Sequence, residues 1–396
     1  MEDTAYNLPK PSYREDLTLV DRGTPMGEYM RRFWHAIGLS GDATEVPRRV
    51  RALGEDLILF RDGEGRAGLV YPRCCHRGAD LFFGRGEKEG IRCCYHGWLF
   101  DVEGRCVEMP MEPDGGAAAC PKVRQPWYPV EERYGLIFAY MGPPGKKPLL
   151  PRYALLEELE EDEELQADDT NLGSGGWGVA PCNWLQHFEN VVDPFHVPVL
   201  HQGFSGVQFV APMGIKPEVS FSYFDQGVRV ESFRTLEDGS RLRRVTECLL
   251  PNIRIVPSPY LTAGRAAGLG FVLPIDNTHF LIYVAARVKK GQRLGKLRSM
   301  PGGKPWTELT DAEHQRYPGD WETQVGQGPI SYHSEENLVA SDQGIAMLRR
   351  LLGKQAQIVA GGGDPVGWTQ TAGEEWIASE TGNFITASEA AAKGQE

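Results

Sequence analysis

The chain lacks a surplus of positive charge, a long apolar run and a secretion-type leader, and each absence removes a class of function. Lys and Arg number 42 against 54 Asp and Glu, a formal charge of -12, so the phosphate-neutralising face that nucleic-acid binding requires is not expected. No uninterrupted apolar stretch reaches the length that spans a bilayer. The start, MEDTAYNLPKPSYRED, lacks the charged-then-apolar layout of a signal peptide, which predicts a cytoplasmic protein whose thiols stay reduced. Disulfides are then a poor first explanation for the eight cysteines. A dinucleotide fingerprint is also missing: AGGGDPVG does not have the G-x-G-x-x-G spacing and follows a helical pattern instead of a strand. Any nicotinamide or flavin is therefore expected on a partner protein. No internal repeat is seen.

What is present is ample material for two cores, with 41% hydrophobic and 10% aromatic residues in a 396-residue chain. TPMGEYMRRFWHAIG (24–38) reads as an amphipathic helix opening after Thr24-Pro25, with Met26, Tyr29, Met30, Phe33 and Trp34 on one side. DLILFRDGEGRAGLVY reads as a hairpin, and short strands continue to the Pro/Gly cluster near residue 145, where a first domain (1–145) should end. LLEELEEDEEL (155–165) reads as an acidic, solvated helix. From Val219 to Val288, strand-like runs separated by DQG and EDGS turns imply an antiparallel meander. SDQGIAMLRRLLG then returns to helical periodicity, with Ile345, Leu348, Leu351 and Leu352 on one face and Gly353 closing it. The second domain (146–396) is thus an antiparallel sheet with helices packed on it, and the fold class is α+β.

Two constellations carry chemistry. Cys74 and His76 form C-x-H, Cys93 and His96 form C-x-x-H, and sixteen residues separate the halves. Two thiolates and two imidazoles on two loops admit a structural zinc or a Rieske [2Fe-2S] cluster. Gly78 and Gly97 directly behind the tips suit the close backbone approach that bridging sulfides need. Further on, NWLQHFENVVDPFHVPVLH holds His196 and His201 five residues apart, which on an ideal helix splays them by about 140°. Pro198 between them disturbs such a helix and would let both imidazoles turn to one point. Two His and a carboxylate form the facial set that leaves open positions on Fe(II). Asp342 in LVASDQGIAMLRRLL is the candidate carboxylate, although helix capping with Ser341 would equally explain an Asp there. Asp193 before Pro194 has a capping explanation as well. His187 reads as packing.

CCHRGADLFFG…IRCCYHGWLFD resembles the Rieske domain of ring-hydroxylating oxygenase alpha subunits, and the likeness extends through LTLVDRGTPMGEYMRRFWHAIGLS, VRQPWYPVEERYGLIFAYMGPP and HFENVVDPFHVPVLH. The phthalate dioxygenase type, which includes aryl-carboxylate hydroxylases and O-demethylases, is the subgroup it is most similar to. The resemblance implies a Rieske β-domain beside a helix-grip catalytic domain, and a [2Fe-2S] cluster on Cys74, His76, Cys93 and His96. It also implies a mononuclear Fe(II) on His196, His201 and Asp342, with Glu335 and Glu336 as alternatives to Asp342. Cys75 and Cys94 stand where the family often has proline and are taken as loop residues, a Cys75–Cys94 disulfide being the alternative. Tyr95 stands where electron-transport Rieske proteins have a further cysteine.

By the same resemblance Asp193 would bridge the partner subunit's His96 to His196, making the active unit a trimer or stacked trimers, and Asn190 would lie beside the open iron positions. The implied activity is the oxygenase component of a multi-component system. It would use O2 and electrons from an NAD(P)H-dependent reductase, possibly with a ferredoxin, to hydroxylate or O-demethylate a small aromatic substrate such as an aryl carboxylate. Strand residues Phe204, Phe209, Val219, Leu249, Ile253 and Tyr260 are candidates to line the substrate pocket. Arg244 and Arg254 are candidates to hold a substrate carboxylate, against the commoner fate of a strand arginine, which is to face water. A non-catalytic electron carrier and a zinc-stapled binding module are the competing readings.

Overall fold

The structure is a computed structural model that describes residues 8–171, 178–205, 209–294, 304 and 308–387. Two short helices, α1 (Glu15–Thr18) and α2 (Pro25–Met30), open the chain. The Thr24 hydroxyl starts α2 by accepting from Gly27 N at 3.1 Å, with Pro25 in the first turn where its missing N–H costs nothing. The helix expected over 24–38 stops at Met30, and Trp34–Leu39 is instead strand β1. WHAIGL is buried almost throughout, so it lacks the in–out alternation that would have marked a strand.

Ten further short strands follow: β2 (Arg48–Ala52), β3 (Glu55–Arg61), β4 (Ala67–Val70), β5 (Arg85–Glu87), β6 (Gly90–Arg92), β7 (Leu99–Phe100), β8 (Cys106–Glu108), β9 (Trp127–Tyr128), β10 (Val130–Arg133) and β11 (Leu136–Tyr140). They form three antiparallel sheets, β1-β11-β10, β2-β3-β4-β9 and β5-β6-β7-β8. The expected hairpin is β3–β4, in which Ile58 faces Val70 and Arg61 faces Ala67.

The remainder begins with β12 (Arg152–Tyr153), α3 (Ala154–Glu157) and β13 (Glu163–Gln166), then α4 (Trp184–Val191) and a π-helical segment, Val197–Phe204. Strands β14 (Glu218–Phe224), β15 (Gly227–Thr235), β16 (Arg241–Leu249), β17 (Ile253–Ile255), β18 (Gly264–Arg265), β19 (Gly268–Asp276) and β20 (His279–Lys289) come next. Helices α5 (Asp311–Arg316), α6 (Asp320–Gly326) and α7 (Gln343–Ala360) and strands β21 (Trp376–Ile377) and β22 (Gly382–Thr386) complete the order. The nine-stranded sheet runs β13-β20-β19-β17-β16-β15-β14, with β22 paired to β16 and β18, and all its pairings are antiparallel. This is the α+β architecture read from the turns.

Two local expectations fail for identifiable reasons. The acidic stretch 155–165 is one helical turn and then β13, because its carboxylates pair across strands with basic residues of β20: Glu163 lies 3.4 Å from Arg287 and Asp162 lies 2.7 Å from Lys289. Helix α7 runs through Gly353 to Ala360, because the glycine keeps helical backbone and faces Leu17 of α1, 3.7 Å from where its Cβ would lie.

Two apolar cores result. The larger joins α1, α2, β1 and β11 to the nine-stranded sheet, as in the edge-to-face contact of Phe138 with Phe271 at 5.1 Å. It continues across residue 145, from Leu136–Met141 to Leu150–Leu156. The smaller core contains Ile58, Phe60, Val70, Leu81, Ile91 and Phe100 together with Cys74 and Cys93. No helix among the described residues is long and apolar enough to cross a membrane.

Candidate functional site

The smaller core carries two loops with one hydrogen-bond design. In the first, Gly78 N donates to Cys74 O at 2.7 Å and Cys74 N to Ala79 O at 2.8 Å; in the second, Gly97 N donates to Cys93 O at 3.1 Å and Cys93 N to Trp98 O at 2.9 Å. Each turn needs a left-handed residue, supplied by Gly78 (φ +77°) and Gly97 (φ +74°). Cys74 and Cys93 are buried and within hydrogen-bond reach of each other, which pulls the Cys93 thiol down to about 6. The His76 and His96 rings meet edge to face at 4.5 Å at the half-exposed rim, and Trp98 stacks on His76 at 4.2 Å. Gln125, fully buried, accepts from Cys75 N and donates to the carbonyls of Tyr71 and Arg73, fixing the first loop. Cys75 and Cys94 are exposed free thiols.

A single zinc would draw four donors to within about 4 Å of one another. Among the described residues, however, the one group of three or more such side chains whose ligand atoms all lie within 4.8 Å is elsewhere. The wider spread of the two Cys and two His fits a bridged two-iron cluster.

That compact group is His196, His201 and Asp320. The five-residue spacing is resolved by the π-helical turn, in which residue i pairs with i+5; Ser205 N donates to Leu200 O at 2.8 Å in that pattern. Pro198 lies in its first turn, where a missing donor is harmless. Asp320 opens α6, and its carboxylate lies 3.3 Å from His201 Nε2 and 3.5 Å from His196 Nε2. Burial alone would raise its pKa, but the hydrogen bond from His201 and the fields of His201, His196 and His187 outweigh it and hold the carboxyl well below the usual range. An anionic carboxylate facing one buried and one half-buried imidazole suits a divalent metal of the two-His, one-carboxylate kind.

Asp342 is not part of this group. Its Oδ2 accepts from Val339 N at 2.7 Å, which closes the short turn Ala340–Asp342 ahead of α7 and is a local, capping-box role. Glu336 is taken by Arg349 at 2.9 Å, and Glu335 sits in a short turn ending in Glu336. Asp320 was missed because PGDWE offers the same signal as SDQG, an acid at a helix start, and it lies 119 positions after His201.

Helix α4 holds the assembly. Gln186 donates to Gln324 O and Gly328 O, and His187 Nδ1 lies 3.0 Å from Gln324 Oε1, which ties α4 to α6 and carries Asp320 over the histidines. Burial, followed by the charge of Arg254, lowers His187 to about 3, so it is neutral. The Ser205 hydroxyl donates to Pro318 O and links the π-helical segment to the start of α6. Glu189, buried, accepts from Arg349 at 2.7 Å and braces α4 on α7. His187 is thus more than packing.

Asn190 Nδ2 donates to Asp320 Oδ1 at 3.3 Å, beside the three ligand candidates. Asp193 Oδ1 accepts from Phe195 N, while its Oδ2 is 3.5 Å from His196 Nδ1. Of the pocket candidates, Phe209 packs on His201 at 4.3 Å, Phe204 and Tyr260 are exposed, Val219 is half-buried, and Leu249 and Ile253 belong to the core. Arg244 is committed to the fold, donating to Pro257 O, Ser258 O and Asn383 Oδ1. Arg254 is half-buried on β17, close enough for the charge of Asp320 to act on it.

Residues 33–126 match the Rieske [2Fe-2S] domain family. The chain is 48% identical over 94% of its length to the phenoxybenzoate dioxygenase alpha subunit of Ectopseudomonas oleovorans, covering 92% of that protein. It is 30% identical to the phthalate 4,5-dioxygenase oxygenase subunit of Pseudomonas putida, over 85% of this chain and 83% of that one. Among solved structures it matches Pseudomonas putida CBB5 NdmA with caffeine at TM-score 0.61 and 18% identity, over 85% of this chain and 94% of the other, a likeness of fold.

Proposed function

This chain belongs to the oxygenase alpha subunits of Rieske non-heme iron ring-hydroxylating systems, and on that premise we propose that it oxygenates an aromatic acid at His196, His201 and Asp320. The observation that carries the reading is the convergence of these three side chains, within 4.8 Å, in a chain that also holds the Cys74, His76, Cys93 and His96 pocket. A mere electron carrier has no use for the second group.

When bound, the cluster supplies single electrons and the ferrous ion supplies the reactivity towards O2. The protein's part is placement. His196, His201 and Asp320 would hold the iron, a ligand set suited to O2 chemistry on Fe(II). Asp193 Oδ2, 3.5 Å from His196 Nδ1, would orient that ring, as outer partners of metal-bound histidines do. Asn190 keeps Asp320 turned inward, and Phe209 shields His201 from water. The natural substrate is an aryl carboxylate, hydroxylated or O-demethylated according to which carbon lies nearest the iron.

Electrons come from a separate NAD(P)H-dependent reductase, with or without a ferredoxin, in the cytoplasm. Asp193 accepts a hydrogen bond from the partner subunit's His96, so that the working unit is a trimer or stacked trimers. Residues 1–145 and 146–396 are the electron-receiving and oxygenating domains.

The test is iron content and ¹⁸O incorporation from labelled O2 into 3-phenoxybenzoate, for Asp320→Ala beside Asp342→Ala. Asp320→Ala should keep the two cluster irons, lose the third and incorporate no label, while Asp342→Ala keeps all three. The reverse pattern would return the ligand role to Asp342.

A further inference from the structure

Arg254 is a half-buried cation that no anion among the described residues joins. Its Nε is buried without a hydrogen-bond partner, while the residue as a whole is half-buried, so the end of the guanidinium stays open to a ligand. Among the described residues, no carboxylate lies within 4.0 Å of its guanidinium and no hydrogen bond leaves it, whereas the neighbouring strand arginines Arg229, Arg234 and Arg244 all have partners. Arginine cannot shed its proton to escape the cost of burial. The site therefore calls for an anion.

Local packing shows that the position is built for this side chain. On β17, Arg254 faces Gly270 of β19 on one side and Cys248 of β16 on the other, two small residues that leave a corridor across the sheet. A Cβ on Gly270 would come within 3.0 Å of Arg254 Nε and 3.2 Å of Cγ. The Cys248 thiol donates to Phe188 O of α4, so this face of the sheet lies under the helix that leads to the histidines. The charge of Arg254 is felt by His187 of α4, and that of Asp320 by Arg254. Asp320 offsets this charge only in part, since it is turned to His196 and His201 and makes no ion pair with Arg254.

We propose that Arg254 is the specificity-determining residue that receives the substrate's carboxylate, so that the enzyme selects aromatic acids over neutral aromatics of the same shape. The guanidinium fork matches a carboxylate with two parallel hydrogen bonds, which fixes the direction of the ring as well as its charge. With the acid group held at β17, the aromatic ring extends towards His196, His201 and Asp320. This rests on the oxygenase reading above and adds to it the group that sets substrate class.

The test compares binding of 3-phenoxybenzoate and its neutral isostere 3-phenoxybenzamide to the iron-loaded enzyme by calorimetry. Wild type should prefer the acid by about 100-fold, the range typical for a buried charge pair. Arg254→Met should bind the acid about 100-fold more weakly and the amide within about threefold of wild type, erasing the preference. Arg254→Lys keeps the charge without the fork and should fall between them. Correct folding is read from the cluster's visible absorption, and if Arg254→Met does not fold, the lysine variant decides through its acid-to-amide ratio. A ratio unchanged in the folded variant, or equal binding of acid and amide by wild type, overturns the role of Arg254 and leaves the oxygenase reading standing. A wild type that takes up no third iron overturns that reading, and with it the basis of this proposal.

Discussion

The two metal sites of this chain are built in opposite ways. The first is local: each loop contributes one Cys and one His within four residues, repeats the same pair of hydrogen bonds, and rests on a small core that includes its own two cysteines. The second is assembled. Its histidines come from one π-helical turn, but its carboxylate comes from α6, brought in by Gln186, His187 and Ser205 from two other segments. A local site can be lost without disturbing its surroundings, whereas an assembled site depends on the packing of the helices that carry it.

The sharpest break of this comparison is Cys93→Ala. It should remove both cluster irons and the visible colour while leaving the iron at His196, His201 and Asp320 in place, so that iron content falls from about three to about one per chain. Loss of all three would mean that the sites are not independent.

A smaller effect is expected at the seam between the two regions. His35 of β1 is buried, donating from Nε2 to Met30 O at 2.8 Å and accepting at Nδ1 from Asn252 Nδ2 at 3.1 Å. Burial lowers it to about 4 from 6.5. Between these values the unfolded chain binds the proton that the folded chain refuses. The contribution is therefore complete above pH 6.5 and is lost as pH falls towards 4, amounting to about 3 kcal/mol at the acid end. His35→Gln should be less stable than wild type at pH 7 and close the gap on acidification, measured by urea unfolding of the metal-free chains. A gap that widens instead would show that another group controls acid stability.

The legibility of the two sites follows their construction. Cysteines, histidines and glycines at fixed short spacings were readable because the physical requirement, a left-handed turn behind each ligand pair, lies within the same few residues. Gly97→Ala tests that requirement. Its φ is +74° and a Cβ would come within 2.8 Å of Pro110 Cγ. The cost should be about 1–3 kcal/mol, seen as a lower temperature for bleaching of the cluster, and Gly115→Ala (φ +64°, nothing within 4 Å) is the control that carries the backbone strain without the collision. The meander was readable too, because its turns are short and its strands alternate. Trp34–Leu39 and residues 155–165 were not, since the first is buried on both faces and the second takes its partners from a strand more than a hundred residues away.

The proposed third iron ligand shows where sequence reasoning stops. Asp320 and Asp342 both begin helices, and both have a local reason to be acidic, namely the unsatisfied N–H groups and positive end of the first turn. Nothing within a dozen residues of either distinguishes them. What separates them is the distance to two histidines, a property of how α4 packs on α6. If Asp342 has only the local role, with Val339 N as its partner, then Asp342→Ala should cost about 0.5–1 kcal/mol, read as a small shift in the urea midpoint of the metal-free chain. Iron content and turnover should stay at wild-type values. Asp342→Asn, which keeps an acceptor for Val339 N, should recover most of the loss. A variant that unfolds normally but binds less iron would instead place Asp342 within reach of the metal in the working enzyme, and the distinction drawn here between a cap and a ligand would fail.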